Sequence, residues 1–368
     1  MPAAPPPARR RPRRPPATAA LRRLCGAAVG LLASAALSLS APAAAAAEEG
    51  SSSPSWERPA AAPARCAGTT FAKDGVAYSY CEDPGVAERP SQWWALKGAD
   101  WRQCKRVEGV EGEYKVWHSP IDIPPAPGGP RAGGDGAEDG AEDGAEDRPA
   151  TLGELVTLAD EVALVAGHPN GVSPEFRCPL EAQSPERFCG HLVYEGWDYW
   201  LRDVHFHTPS EHLLDGARFP MEMHMVFATK ADHPVYAVVG VFYDAAEEAG
   251  AGPGPGPALR QLWEKLAVGE DGPTAPLRLA SLLRLDAEYV AFSGSTTTPP
   301  CNPRVRWLVQ RGAMPAPREL VDAYYAALGG YPGNSRPAQP RNGRPIFWSG
   351  GGGAGGDRKG GGAGAAPP

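Results

Sequence analysis

Strongly apolar residues never run on for the ~20 positions that a membrane-spanning helix needs, so no confident span can be drawn through the 368-residue chain. Acidic residues are missing from the first 47 positions, where seven arginines stand instead. Net positive charge is also missing. The whole chain carries −7, and loss of those seven arginines would leave about −14, a surface that repels nucleic acid and anionic membrane. Helical periodicity is short and sparse, which argues against a helical bundle. Histidine is scarce too, at eight residues, so any clustering of it is informative.

The arginine-rich start leads into C-G-A-A-V-G-L-L-A-S-A-A-L-S-L-S and then A-P-A-A-A-A-A. A basic region, a short apolar region and a small-residue cleavage zone describe a secretory signal over residues 1–47. An uncleaved anchor is the alternative, and a long Arg- and Ala-rich leader also fits a plastid or thylakoid-lumen route. Export to a periplasm, a cell surface or the medium agrees with cysteine usage. Cys25 would leave with the leader, and Cys66, Cys81, Cys104, Cys178, Cys189 and Cys301 remain. An even number in an exported chain suggests disulfides, though six cysteines allow 15 pairings.

Three segments cannot pack a core. G-A-E-D occurs three times inside an acidic, Gly/Pro-rich insertion over 124–150, a Gly/Pro loop covers 245–257, and a Gly-rich tail covers 349–368. With 48–65 as a linker, one domain is left over 66–348. Its strand signals dominate: the run from His191 to His207, M-E-M-H-M-V-F from Met221, Y-A-V-V-G-V-F-Y from Tyr236 and V-R-W-L-V from Val305. Helices are expected over 258–267, 277–283 and 318–328. The expected fold is mainly β, a large, mostly antiparallel twisted sheet with short peripheral helices.

Three of the eight histidines fall in D-V-H-F-H-T-P-S-E-H, from Asp203 to His212, and a fourth in M-E-M-H-M-V-F. Residues two apart on a strand share a face. His205 and His207 therefore project together, and Glu222, His224 and Val226 share one face of the next strand. If the two strands are antiparallel neighbours, three imidazoles meet at one point and form a facial site for a divalent metal. Zinc suits three neutral imidazoles and keeps a fourth position open. Asp203 and Glu222, each two residues before a histidine, are placed to accept the other ring N–H.

V-H-F-H-T-P-S-E-H and M-E-M-H-M-V resemble the zinc-binding core of the α-class carbonic anhydrases. W-H-S-P-I-D-I at 117–123, S-T-T-T-P-P-C at 295–301 and N-S-R-P-A-Q-P-R-N-G-R at 334–344 resemble three further motifs of that family, in its order. The resemblance implies the α-carbonic anhydrase fold and reversible hydration of carbon dioxide to bicarbonate and a proton, by attack of zinc-bound hydroxide. It implies Zn2+ on His205, His207 and His224, and inhibition by sulfonamides or anions. Thr297 matches the threonine that orients the nucleophile by donating its proton to a buried glutamate, here Glu211. Thr298 matches the neighbour that contacts bicarbonate. Val226, Val238, Val305 and Trp307 match the apolar pocket for carbon dioxide. His168 is similar to the family's proton shuttle, with altered flanks, and His118 and His191 are its substitutes. Cys104 and Cys301 stand where exported members are bridged. Cys178 with Cys189 is a pairing close in sequence, which leaves Cys66 with Cys81.

The chain departs from the family pattern in several places. His118 replaces glutamine in the 117–123 motif. Asp203 replaces glutamine behind His205, Thr296 replaces an apolar residue and is expected to make the pocket wall more polar, and the insertion has no counterpart. Two rival readings share the fold or the site chemistry: a non-catalytic binding protein and a zinc esterase.

Overall fold

The computed structural model describes residues 71–73, 76–81, 87, 89–96, 102–105, 117–126, 150–167, 174–179, 187–231, 234–247, 254–268, 271–330 and 332–350. Strands β1 (Phe71–Lys73) and β2 (Val76–Tyr78) pair with each other, and β3 (Asp122–Ile123) follows. The main sheet then takes up β4 (Val156–Leu158), β5 (Val165–Gly167), β6 (Glu175–Arg177), β7 (Gly190–Tyr194) and β8 (Trp197–His207). β9 (Leu213–Leu214) leaves it to run parallel to β3. β10 (Met221–Ala228), β11 (Tyr236–Ala246), β12 (Gly272–Pro273), β13 (Tyr289–Ser295), β14 (Pro303–Gln310), β15 (Met314–Pro317) and β16 (Ile346–Trp348) complete it. Twelve strands are joined, with β12-β5-β6-β8-β10-β11-β14-β13-β16 as the main path. Only the β11–β14 and β11–β15 pairings in this sheet are parallel.

The run from His191 to His207 is not one strand but a hairpin. Glu195 (φ 51°) and Gly196 (φ 76°) form its two-residue turn, the left-handed pair that matches the twist of flanking strands. Among the described residues there are two α-helices, α1 (Gly256–Val268) and α2 (Arg318–Ala327). The helix expected over 277–283 is only a 3-10 turn, Leu279–Leu282. Its leucines at 279, 282 and 283 are buried, so they serve the core without a full helical face. None of the described helices is long and apolar enough to cross a membrane.

Strand periodicity divides the core in two. Met221, Met223, Met225 and Phe227 point to one face, with Phe206 and the inner sides of both helices. Phe206 packs edge-on to Trp263 of α1 at 4.9 Å, Trp263 stacks on Tyr324 of α2 at 4.7 Å, and the Tyr324 hydroxyl donates to the Phe206 carbonyl at 2.9 Å. Burying a side chain the size of Phe206 is worth about 2–3 kcal/mol. This packing fixes the back of the strand whose front carries His205 and His207. Ile121, Phe219, Val238, Phe242, Phe292, Val305 and Trp307 form a second cluster on the histidine face.

Two disulfides lie within the described residues. Cys104–Cys301 joins positions 197 apart, and Cys178–Cys189 closes a loop of separation 11 beside β6. Cys81 is also disulfide-bonded, but Cys66 lies outside the described residues, and so does the pairing between them. The leader, the linker, the tail and most of the acidic insertion lie outside them as well. Replacing Cys178 and Cys189 together by serine is expected to lower unfolding free energy by about 3 kcal/mol, the loop-closure entropy returned to the unfolded chain. Urea unfolding of the double variant measures it, and an unshifted midpoint would show that the bridge contributes nothing.

Candidate metal centre

β8 and β10 are antiparallel neighbours, with His205 directly opposite His224 and His207 opposite Glu222. Alternation does the rest. The ring centroids of His205, His207 and His224 lie 5.1, 5.3 and 4.6 Å apart, and one nitrogen from each lies within 4.8 Å of the others. His207 and His224 are buried, whereas the His205 side chain keeps 19% of its surface exposed, so the cluster opens on the His205 side.

Each imidazole has its other nitrogen committed. Nδ1 of His205 meets Asp203 Oδ1 at 2.7 Å, Nδ1 of His207 meets the Asn334 carbonyl at 2.8 Å, and Nε2 of His224 meets Glu222 Oε1 at 2.8 Å. These acceptors select the tautomer that leaves Nε2, Nε2 and Nδ1 as bare lone pairs. Nε2 of His207 is buried and has no hydrogen-bond partner. A buried polar atom without a partner costs about 1–3 kcal/mol, and a cation at the point of convergence would answer it. Burial holds His207 down to about 3, helped by the neighbouring His205, and holds His224 down to about 4. Both are therefore in the neutral form that ligation requires. Burial acts downward on His205 too, but the carboxylates of Asp203, Glu175 and Glu211 together raise the pKa. These three residues fit a divalent metal ion.

Glu222 is the hub behind them. Its Oε1 receives His212 Nδ1 at 2.7 Å as well as His224, and its Oε2 receives the backbone N–H groups of Glu211 and His212, both at 2.8 Å. Burial pushes the carboxyl up, but the two imidazoles hold it well below the usual carboxylate range. His212, Glu222 and His224 are also close enough together to be a ligand set, but their approaches are hydrogen bonds to one another.

Glu211 is fully buried beside the convergence point, with Oε2 3.4 Å from His207 Nε2 and 3.9 Å from His224 Nδ1. Its Oε1 accepts the Arg336 backbone N–H at 2.8 Å. Burial raises its pKa, while His224, the nearby Thr297 hydroxyl and that N–H act against the rise. The apolar residues expected to form a pocket are gathered on the same face. Val226 pairs with Val238, and Val238 with Trp307, in one row across β10, β11 and β14. Val305 is fully buried beside them, and Trp307 stands edge-on to His224 at 4.8 Å. Thr298 follows Thr297 and is half-buried.

His168 lies outside the described residues. Neither substitute relay is free for the task. His118 is buried against the Lys105 carbonyl at 2.9 Å, and burial, with Arg336 nearby, lowers it to about 4. His191 stacks on Trp200 at 4.3 Å and bonds Asp198 at 2.7 Å, as part of the hairpin. Thr296 also differs from expectation: its hydroxyl is turned into its own loop and not onto the pocket wall. Three contributors went unread in the sequence. They are His212, which shares Glu222 with His224, the Asn334 carbonyl and the Arg336 N–H. The N-x-R spacing of the last two was the available signal.

Three nitrogens converging on a sheet face, with a buried glutamate and a threonine loop at their side, form a cluster that could hold one metal ion in the three-histidine manner. The family model for eukaryotic-type carbonic anhydrase matches residues 168–350. The chain is 35% identical over 155 residues to a carbonic anhydrase of Pectobacterium carotovorum, covering 42% of this chain and 60% of that one. It is 34% identical over 167 residues to alpha carbonic anhydrase 3 of Arabidopsis thaliana, covering 43% of this chain and 56% of that one. The matches thus span less than two thirds of these relatives. The α-carbonic anhydrase of Thermovibrio ammonificans, solved with sulfanilamide, superposes with a TM-score of 0.54 at 25% identity, over 74% of this chain and 99% of that one. Residues 168–350 thus match the eukaryotic-type carbonic anhydrase family, and the fold around them is that of an α-carbonic anhydrase.

Proposed function

We propose that this protein catalyses the zinc-dependent, reversible hydration of carbon dioxide to bicarbonate and a proton. The observation that carries the reading is the set of three bare nitrogens, on His205, His207 and His224, beside the Glu211–Thr297 pair. Zinc held there would supply a Lewis acid that makes water nucleophilic at neutral pH.

The chain's own residues do the rest. A Thr297 hydroxyl whose proton is given to Glu211 can only accept a hydrogen bond from the nucleophile, which orients it. Val226, Val238, Val305 and Trp307 offer carbon dioxide an apolar wall, and Thr298 offers bicarbonate a polar contact. His168 remains the proposed proton relay, with Cys66–Cys81 as a third bridge. We also propose export of the chain, which suits its disulfides.

The test is stopped-flow hydration of carbon dioxide with metal analysis, with and without a sulfonamide. One zinc per chain and sulfonamide-sensitive hydration are expected. A zinc-loaded protein that hydrates no faster than buffer would leave the non-catalytic binding reading standing. Asp203 gives a second test. A carboxylate behind His205 makes that imidazole a stronger donor than a neutral amide would. Asp203→Asn is expected to weaken zinc binding about tenfold in competition with a chromogenic chelator. Equal affinity would show that the charge of Asp203 does not reach the metal.

A further inference from the structure

The Thr296 hydroxyl is used twice. It donates to the Thr298 carbonyl at 3.0 Å and accepts the Asn302 backbone N–H at 2.9 Å. The Thr296 N–H in turn donates to the Asn302 carbonyl at 2.9 Å. Thr296 and Asn302 are thus joined like a pair in an antiparallel ladder, except that a side-chain oxygen stands in for the Thr296 carbonyl. That carbonyl is occupied elsewhere, by the Ser295 hydroxyl at 2.9 Å. The substitution occurs where the ladder fails, because the β13–β14 register slips between Gly294 and Ser295. Inside the ring so closed, the Thr298 carbonyl receives a second donor, the Cys301 N–H at 2.9 Å.

We propose that Thr296 is a positioning residue whose hydroxyl closes residues 296–302 into a ring and thereby holds Thr297 in place beside Glu211. This rests on the function proposed above. An apolar residue at 296 would leave the Asn302 N–H without its acceptor and the Thr298 carbonyl with one donor in place of two. The Cys104–Cys301 bridge anchors only the far side of the loop, so it cannot replace the hydroxyl. Being β-branched, Thr296 also has few side-chain rotamers to lose when it is fixed.

Thr296→Val removes the hydroxyl at nearly constant shape, and Thr296→Ser keeps it. In zinc-loaded full-length protein, Thr296→Val is expected to speed hydrogen exchange of the Asn302 amide at least tenfold and lower kcat/KM for carbon dioxide about tenfold. A misplacement near 1 Å can cost up to about a hundredfold. Thr296→Ser should restore both. Thr296→Val with unchanged exchange and unchanged kcat/KM would overturn the proposal. The unaltered protein gives a check that needs no folded variant, because an Asn302 amide exchanging at the free-peptide rate would also overturn it. Exchange reports the ring whether or not the protein hydrates carbon dioxide, so failure of the proposed function is seen separately, in the wild-type rate.

Discussion

His207→Ala is expected to lose bound zinc and carbon dioxide hydration together, with a fall in activity of more than about a hundredfold. Outer-shell changes alone cost 10–100-fold, and this change removes a ligand outright. His207 is the ligand with the most at stake. Its Nε2 is buried with no hydrogen-bond partner, and its Nδ1 answers the Asn334 carbonyl. Alanine would take that donor away from the carbonyl as well. Metal content after dialysis, measured beside the hydration rate, decides the matter. A variant that retained one zinc per chain would sink the ligand assignment. Wild-type protein stripped by a chelator should lose thermal stability too, because a metal that binds only the folded chain stabilises it by mass action.

Glu211→Gln and Thr297→Val should each lower kcat/KM by roughly a hundredfold while zinc content stays at one per chain. A glutamine at 211 can itself donate to the Thr297 oxygen, so the threonine proton would be free to face the nucleophile, and its orientation would be lost. Valine at 297 keeps the shape and removes both hydrogen bonds. Because the two residues act as a unit, the double variant should be scarcely worse than either single one. Losses that multiplied would mean that they serve the reaction separately.

The ligand set was readable because a strand's side-chain period is two, so H-x-H and E-x-H carry their geometry in their spelling. The sequence did not contain the register, yet burying four apolar residues of β10 on one face leaves Glu222 and His224 only the other. The hairpin turn at Glu195–Gly196 was missed because the aromatic and β-branched run continues through it. Residues 277–283 read as helical because leucines at 277, 279, 282 and 283 mimic a helical face, although a 3-10 turn buries them equally well. The Asn334 carbonyl was out of reach for a different reason, since a backbone acceptor leaves no mark on residue identity. His212 was visible but unassigned, because nothing local says that one carboxylate will serve two imidazoles.

The segment from Asn334 to Arg336 gives the site a place in time. The Asn334 carbonyl fixes His207 across 127 positions, its side chain accepts the Thr208 N–H and donates to the Phe206 carbonyl, and the Arg336 N–H holds Glu211 across 125. Contacts at such separation form late, after the loop entropy between them has been overcome. A chain emerging from the ribosome has all three imidazoles long before it has the groups that orient them. The three-histidine centre is therefore finished last, and the docking of the segment from Asn334 to Arg336, not the arrival of the ligands, sets the moment at which it is complete.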